Sequence, residues 1–348
     1  MKFIIQSVFL LGSIFIYAFV FVPPDAFPLA AIICLAIPFL LIVHIFWILF
    51  GISKGFKSIW GNLIGLIIGF PFLISSFGLI IPSNHEGKIH VLSYNLYGYR
   101  VKYNLRSMPE RQSFIQWTID HQAPIKVFQE FYTHRGHETM DSYKQLSEAG
   151  YNGYFEPLTI NNRNHDMGLA IFSKYPMINT GKLLDNSPSL NNIIFADLVI
   201  DADTIRVYNA HFQSMGIDPE HVMETEELKN RYSLLKQQLE NGAVARSIQI
   251  KIALEHAKNS PYPVIFAGDF NDTSYSYSYR TFRSAFKNAF EQKGNGFGFS
   301  MNSRLFFLRI DNIFLSDEFT TQSFETKREV KYSDHFPLEA SFRLRSNR

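Results

Sequence analysis

Pro263-Val-Ile-Phe-Ala-Gly-Asp269-Phe-Asn271-Asp272 decides how the rest of the chain is read. Val264 to Ala267 form an apolar run of the kind that makes a buried strand, and Gly268 allows a sharp turn at its end. Asp269 and Asn271, a carboxylate and a carboxamide, then stand on the rim of that strand. Sites are commonly built on such rims, where loops are held by a rigid sheet. Read alone, the stretch is a turn with ordinary Asx chemistry, which selects Gly, Asp and Asn for local reasons. The remainder of the chain displaces that reading.

From Lys88 onward, short β-rich runs alternate with amphipathic segments. Ile89–Tyr94, Ile125–Phe128, Leu169–Phe172, Ile193–Ile200, Thr204–Asn209, Val264–Ala267, Ile310–Leu315 and Pro337–Leu344 are expected as strands. Ser107–His121 and Val244–Lys258 are expected as helices, the second burying Val244, Ile248 and Ile252 and turning Lys251, Glu255 and Lys258 to water. The polar stretch Met215–Asn241 carries Leu228, Tyr232, Leu235 and Leu239 at helical spacing and reads as a separate amphipathic cover helix. Strands mixed with helices imply an α/β sandwich, packed sheets covered by helices.

Residues 1–83 are of another kind. Phe3–Val22, Leu29–Phe50 and Asn62–Ile81 are three apolar runs of spanning length, since about 20 helical residues cross about 30 Å of hydrocarbon. A cleaved signal peptide fits the first run poorly: it is long, lacks a small-x-small site and is followed by two more runs. Gly61, Gly65 and Gly69 recur every fourth residue and predict one smooth face for close helix packing. His44 is expected near the membrane interface. Lys2, Lys54 and Lys57 against the lone Asp25 of the first loop put the amino terminus and second loop in the cytoplasm. Three crossings then leave residues 84–348 outside it.

The chain has 33 basic and 31 acidic residues, and removing the three lysines and one aspartate before Ser83 leaves thirty of each. A neutral domain argues against long nucleic acid held mainly by phosphate neutralisation. The single cysteine, Cys34, lies in an apolar run, which excludes a disulfide framework, a zinc knuckle and a thiol nucleophile.

At the ends of the expected strands stand Asn95, Glu130, His211, Asp269 with Asn271, Asp311, and Asp334 with His335. Carboxylate and amide oxygens are what hard divalent cations such as Mg²⁺ take. A phosphoester beside such a cation needs an activated water and donors for the developing charge. The inventory fits that chemistry.

Tyr94-Asn95, Gln129-Glu130, Asn209-Ala-His211, Gly268-Asp269-Phe270-Asn271, Arg309-Ile-Asp311 and Ser333-Asp334-His335, in that order, resemble the motifs of the endonuclease/exonuclease/phosphatase superfamily. The resemblance runs from about residue 88 to 345. It implies a four-layer sandwich, two packed mixed sheets flanked by helices, with an Mg²⁺ (or Mn²⁺) phosphoester-hydrolase site at one edge. By the resemblance Glu130 is the principal metal ligand, assisted by Asn95, with Asp334 nearby. Asp269 orients or deprotonates the attacking water and Asn271 holds the phosphate or nucleophile. His335, fixed in its tautomer by Asp311, contacts the phosphate, and His211 donates to a phosphate oxygen or the leaving group. Which group is the base stays open.

Arg163 and Asn164 could line the cleft, and Tyr275 could stack on a base or lie under a lipid headgroup. The expectation is a membrane-anchored hydrolase acting outside the cytoplasm on nucleic acid or on a phospholipid or isoprenoid pyrophosphate. The anchor is similar to that of membrane-bound superfamily members acting on undecaprenyl pyrophosphate. The alternative is a non-catalytic tethered binding domain on the same fold, whose sign would be a broken metal set.

Overall fold

The computed structural model describes residues 2–55, 59–79, 87–100, 107–161, 164–184, 190–216 and 228–345. At the amino terminus, α1 (Lys2–Ala18), α2 (Leu29–Cys34), α3 (Ile37–Ser53) and α4 (Trp60–Ile74) form a helical bundle. Two stretches, Phe3–Phe21 and Leu29–Ser53, are long and apolar enough to cross a membrane, with mean hydropathies of 2.2 and 2.8. The third expected span is not such a helix. α4 has 15 residues, about 22 Å of rise, short of the hydrocarbon thickness. Its end is set by Ser75 and Ser76, whose hydroxyls turn back onto the Phe72 carbonyl (2.9 and 2.8 Å). The chain then enters β1 (Phe77–Leu79), on the amino-terminal side of the expected domain boundary.

The glycine face of α4 does pack closely. A Cβ on Gly61 would lie 3.1 Å from Gln6, and one on Gly65 would lie 2.3 Å from the His44 ring. His44 is fully buried among its neighbours in the bundle. Its Nδ1 and Nε2 each lie 3.1 Å from a polar partner, Asn62 Oδ1 and Ser13 Oγ, so one histidine links three helices.

The domain is built on two six-stranded sheets. One contains β2 (Ile89–Asn95), β3 (Ile125–His134), β4 (Asn152–Asn161), β5 (His165–Ser173), β13 (Phe319–Thr326) and β14 (Leu338–Leu344), ordered β13-β14-β2-β3-β5-β4. The other contains β6 (Met177–Lys182), β7 (Asn192–Ile200), β8 (Asp203–His211), β9 (Val264–Asp269), β10 (Lys287–Asn288) and β12 (Asp311–Leu315), ordered β10-β12-β9-β8-β7-β6. Only β2/β3 and β8/β9 pair in parallel. β11 (Asn295–Phe297) pairs with β1, tying the bundle's exit to the domain. The eight expected strands are present; β4, β6 and β13, less continuously apolar, and the short β1, β10 and β11 are additions to them.

Strand periodicity builds the layers. Val91, Val127 and Ile171 of the first sheet meet Ile194, Val207, Ile265 and Ile313 of the second in the inter-sheet core. Their neighbours face outward: Leu92, Phe128 and Phe172 pack under α5 (Met108–Asp120) and α6 (Ser142–Glu148). Tyr208 and Phe266 pack under α7 (Leu228–Lys258) and α8 (Tyr277–Arg283). α9 (Ala289–Lys293) closes the edge beside β12 and β13. Helix, sheet, sheet and helix are the four layers expected.

α7 differs from expectation twice. It is one helix of 31 residues, covering the second half of the stretch expected as a separate helix. Ile250, Ala253 and Ala257 pack on the sheet, Ala243, Arg246 and Ser247 are also buried, and Ile248 and Ile252 are exposed. Small side chains let the helix approach the sheet, and this outweighs the larger apolar stripe. Ser247 and Lys251 instead meet the bundle: both donate to Asp25, Lys251 at 2.7 Å. Arg309 Nη2 donates to the Ser75 carbonyl (2.6 Å). The loop after α1 and the end of α4 therefore both abut the domain.

Candidate active site

The inter-sheet face changes from apolar to polar along each strand. In β9, Ile265 and Ala267 belong to the core and Asp269 is the next residue on that face; in β8, Val207 is followed by Asn209 and His211. Asp311 stands at the same end of β12, before Ile313. Register places Asp311 opposite Asp269 and Asp269 opposite His211, giving one row across three strands. Below the row, the buried Gln129 Nε2 donates to Asn209 Oδ1 (2.7 Å), and Asn209 Nδ2 donates to the carbonyls of Phe128 (2.7 Å) and Ala170 (2.9 Å). This fully buried pair clamps the sheets together just beneath the site.

The facing sheet is less regular. Asn95 ends β2 opposite Gln129, but Glu130 sits at a register shift between Phe128 and Phe131 with φ 48°. Left-handed backbone at a non-glycine costs about 1–2 kcal/mol. Here it re-aims the side chain toward the rim, as bulges do. Asp334 and His335 precede β14 in a segment held by Ser333, whose Oγ donates to the Asn95 carbonyl (2.7 Å).

All the strand-end residues converge. Asn95 Nδ2 donates to Asp269 Oδ2 (3.1 Å) and Glu130 Oε1 (3.4 Å), while its Oδ1 accepts from Tyr97 N (3.0 Å). The amide nitrogen, not the oxygen, thus faces the carboxylates. His211 Nε2 lies 3.7 Å from Asp269 and 3.9 Å from Glu130, and its Nδ1 lies 3.1 Å from the Leu190 carbonyl. A proton on Nδ1 for that carbonyl leaves Nε2 facing the cleft. His335 Nδ1 donates to Asp311 Oδ2 (2.8 Å), with Nε2 3.8 Å from Asp269. Asn271, at φ 49°, donates its backbone N–H to Asp269 Oδ1 (2.8 Å) and its side chain to the Phe212 carbonyl (3.0 Å).

Burial alone would lower the His335 imidazole, but the carboxylates of Asp311 and Asp269 overturn this and hold it well above its usual value. Burial raises Asp269, and the neighbouring Asp311 charge adds to the rise. Burial also raises Glu130, with His211 pulling the other way and Asp334 adding to the rise. Four carboxylates at one rim are short of positive charge. The donors are hard oxygens, and Glu130, 20% exposed, faces the opening. The residues fit a divalent cation. Among the described residues, Asp269, Asp311 and His335 bring one ligating atom each within 4.8 Å of one another.

The expected specificity residues behave differently. Arg163 lies outside the described residues. Asn164 is exposed in a turn at φ 62°, its carbonyl accepting from Arg135 N (3.0 Å). In place of a stacking surface, Tyr275 packs against the bundle and accepts from Ser76 Oγ (2.8 Å). Gly268 is not a turn either. It lies within β9 at φ 143°, where a Cβ would stand 2.0 Å from the Ala210 carbonyl oxygen. Supporting residues not singled out from sequence are Ser300, whose Oγ accepts from Asp311 N (3.1 Å), and Arg246, paired with Asp272 (3.2 Å). Ser300 lies outside any strand pattern and gives no local signal; Arg246, central in an amphipathic helix, shows as a charge on the face that must be buried.

A sandwich with this polar rim is the architecture of phosphoester hydrolases. Residues 92–335 match the endonuclease/exonuclease/phosphatase family, and the chain belongs to it. Residues 1–76 match a domain of unknown function (DUF8431). Solved structures share the fold. The family member from Bacteroides vulgatus is 18% identical (TM-score 0.55), covering 74% of this chain and 98% of that one. The human Nocturnin catalytic domain with bound sulfate is 18% identical (TM-score 0.54), covering 76% and 95%. D. rerio TDP2, complexed with single-strand DNA product, is 14% identical (TM-score 0.51), covering 73% and 98%. No curated protein matches the chain.

Proposed function

We propose that this chain is a membrane-anchored hydrolase of phosphoester bonds that works with Mg²⁺ or Mn²⁺. The observation that carries the reading is the convergence of the Asp311–Asp269–His211 row with Asn95, Glu130, Asp334 and His335 at one rim. Glu130 and Asp334 would hold the cation, with Asn95 fixing Glu130 in place. The bound cation would polarise a phosphoryl oxygen and neutralise its charge. Asp269, with its raised affinity for a proton, is the acceptor for the proton of the attacking water. Asn271 N–H keeps its carboxylate oriented. His335 offers an N–H to the phosphate while Asp311 holds its other nitrogen, and His211 presents its Nε2 to the cleft on the opposite side of Asp269.

Two spanning-length helices favour a substrate confined to the membrane, a phospholipid or isoprenoid pyrophosphate, since tethering raises effective concentration. Nucleic acid is the second reading, favoured by the relative bound to single-strand DNA product. A domain outside the cytoplasm requires the 15-residue α4 to carry the chain back across the bilayer; Asp25 and Ser75, at opposite ends of that path and both held against the domain, support this.

The test is the full chain in detergent, assayed with Mg²⁺ or Mn²⁺ against plasmid, single strands, sphingomyelin, inositol phosphates and undecaprenyl pyrophosphate. EDTA and Glu130→Gln should each abolish turnover, and Asp269→Asn should cut it about 10³-fold. Activity that survives all three overturns the site. No turnover on any substrate, with binding retained, would support the tethered binding domain instead.

A further inference from the structure

A cavity of about 270 Å³ opens where the bundle meets the domain. Tyr17 and Ala18 of α1 and Ile68 and Phe72 of α4 wall one side; Ser274 and Arg280 wall the other. Two features of this junction are unexplained by the site above. Arg280, half-buried at the end of α8, lies 5.0 Å over the Phe21 ring and has no carboxylate partner among the described residues. Its neighbour Arg283, by contrast, is paired with Glu291 (2.8 Å). Finally, Ile14 and Ile68 at the cavity edge are also exposed at the outer surface of the bundle, where hydrocarbon would lie.

These features call for one kind of molecule, with an anionic head and an apolar tail leaving sideways. Phe21, under Arg280, follows the end of α1, so the Arg280 end is the headgroup end. We propose that the cavity binds an anionic phospholipid. Its phosphate meets the Arg280 guanidinium, and an acyl chain runs out past Ile14 and Ile68. The lipid would join the bundle to α8, which begins at Tyr277, shortly after Asp272 in the chain. This inference rests on the membrane-anchored reading and not on the hydrolytic one.

The full chain is reconstituted in phosphatidylcholine nanodiscs containing phosphatidylglycerol, re-extracted in mild detergent, and its retained lipid measured by mass spectrometry. The parent should retain phosphatidylglycerol over phosphatidylcholine. Arg280→Gln should retain about fivefold less, the worth of one arginine at an anionic surface. Tyr17→Phe removes a hydroxyl that does not reach the cavity surface, keeps the bundle intact and should retain as much as the parent. Equal retention by parent and Arg280→Gln, or an equal loss in both variants, overturns the lipid site while leaving the anchor standing. A chain that alkaline washing releases from membranes overturns the anchor, and this inference with it.

Discussion

The two sheets reach the same rim by different means. The β12-β9-β8 sheet presents Asp311, Asp269 and His211 as a straight row set by strand register. The β14-β2-β3 sheet presents its share from irregular backbone: Glu130 at a bulge with φ 48°, and Asp334 and His335 ahead of β14. The regular side is buried and locked, with Asp269 and Asp311 scarcely exposed. The irregular side carries the carboxylate that faces the opening. On the proposed mechanism, one sheet would supply a fixed reference for proton transfer, and the other would be bent to make room for a cation and phosphate. Arg309, donating to the Ser75 carbonyl two residues before Asp311, ties the regular side to the bundle.

Breaking the row should have the largest effect. Asp269→Asn keeps shape and removes the proton acceptor, so kcat should fall about 10³-fold while the unfolding midpoint stays near the parent's. A fall below tenfold would move the base elsewhere. On the bent side activity and stability should part company. Glu130→Gly should abolish turnover yet raise stability by about 1 kcal/mol, because glycine accepts the left-handed backbone without cost. Glu130→Gln, which keeps a side chain at that φ, should lose activity without the full gain. A stability loss in the glycine variant would mean the bulge is unstrained.

Gly268→Ala reverses the pattern by attacking the straight side through its backbone. A Cβ there meets the Ala210 carbonyl at 2.0 Å in a conformation L-residues rarely adopt, so about 3 kcal/mol or more should be lost in urea unfolding. A loss under about 1 kcal/mol would show that β8 and β9 can separate freely.

That glycine also marks where sequence reading stops. The strands of the core were legible because their apolar runs are continuous, and the rim residues because each ends such a run. Ile265, Ala267 and Asp269 even share one face by alternation, so the step from core to site was written in period two. Gly268 read as a turn because local sequence cannot say that another backbone passes within contact distance. Ile248 and Ile252 of α7 misled for a related reason: periodicity identifies a stripe but not which of two apolar faces the sheet will take. Hydropathy continues past Ile74 and so predicts a third span, while the end of α4 is fixed by Ser75 and Ser76 and by the pairing of β1 with β11, over two hundred residues away. Nearness to Asp269 in sequence makes Tyr275 a candidate for the cleft, yet the chain turns it to the bundle.

The smallest effect tests whether the irregular sheet is fragile only at its rim. Glu339 on β14 lies 3.8 Å from His121 Nε2 at the end of α5 and 3.2 Å from Lys327 Nζ. His121, and then Lys327, hold its carboxyl down at about 2. A carboxylate depressed on folding stabilises the native state above its unfolded pKa, near 4.5, and loses that contribution as pH falls toward 2. Glu339 is 28% exposed, so solvent screening holds the contribution to about 1 kcal/mol. Glu339→Gln should therefore be less stable than the parent by about that amount at pH 6, with the two unfolding curves converging between pH 4.5 and 2. Curves that stay parallel across that window would assign the difference to packing. The β14 strand would then owe nothing to the Glu339 charge at this point, and its hold on α5 would rest on contact alone.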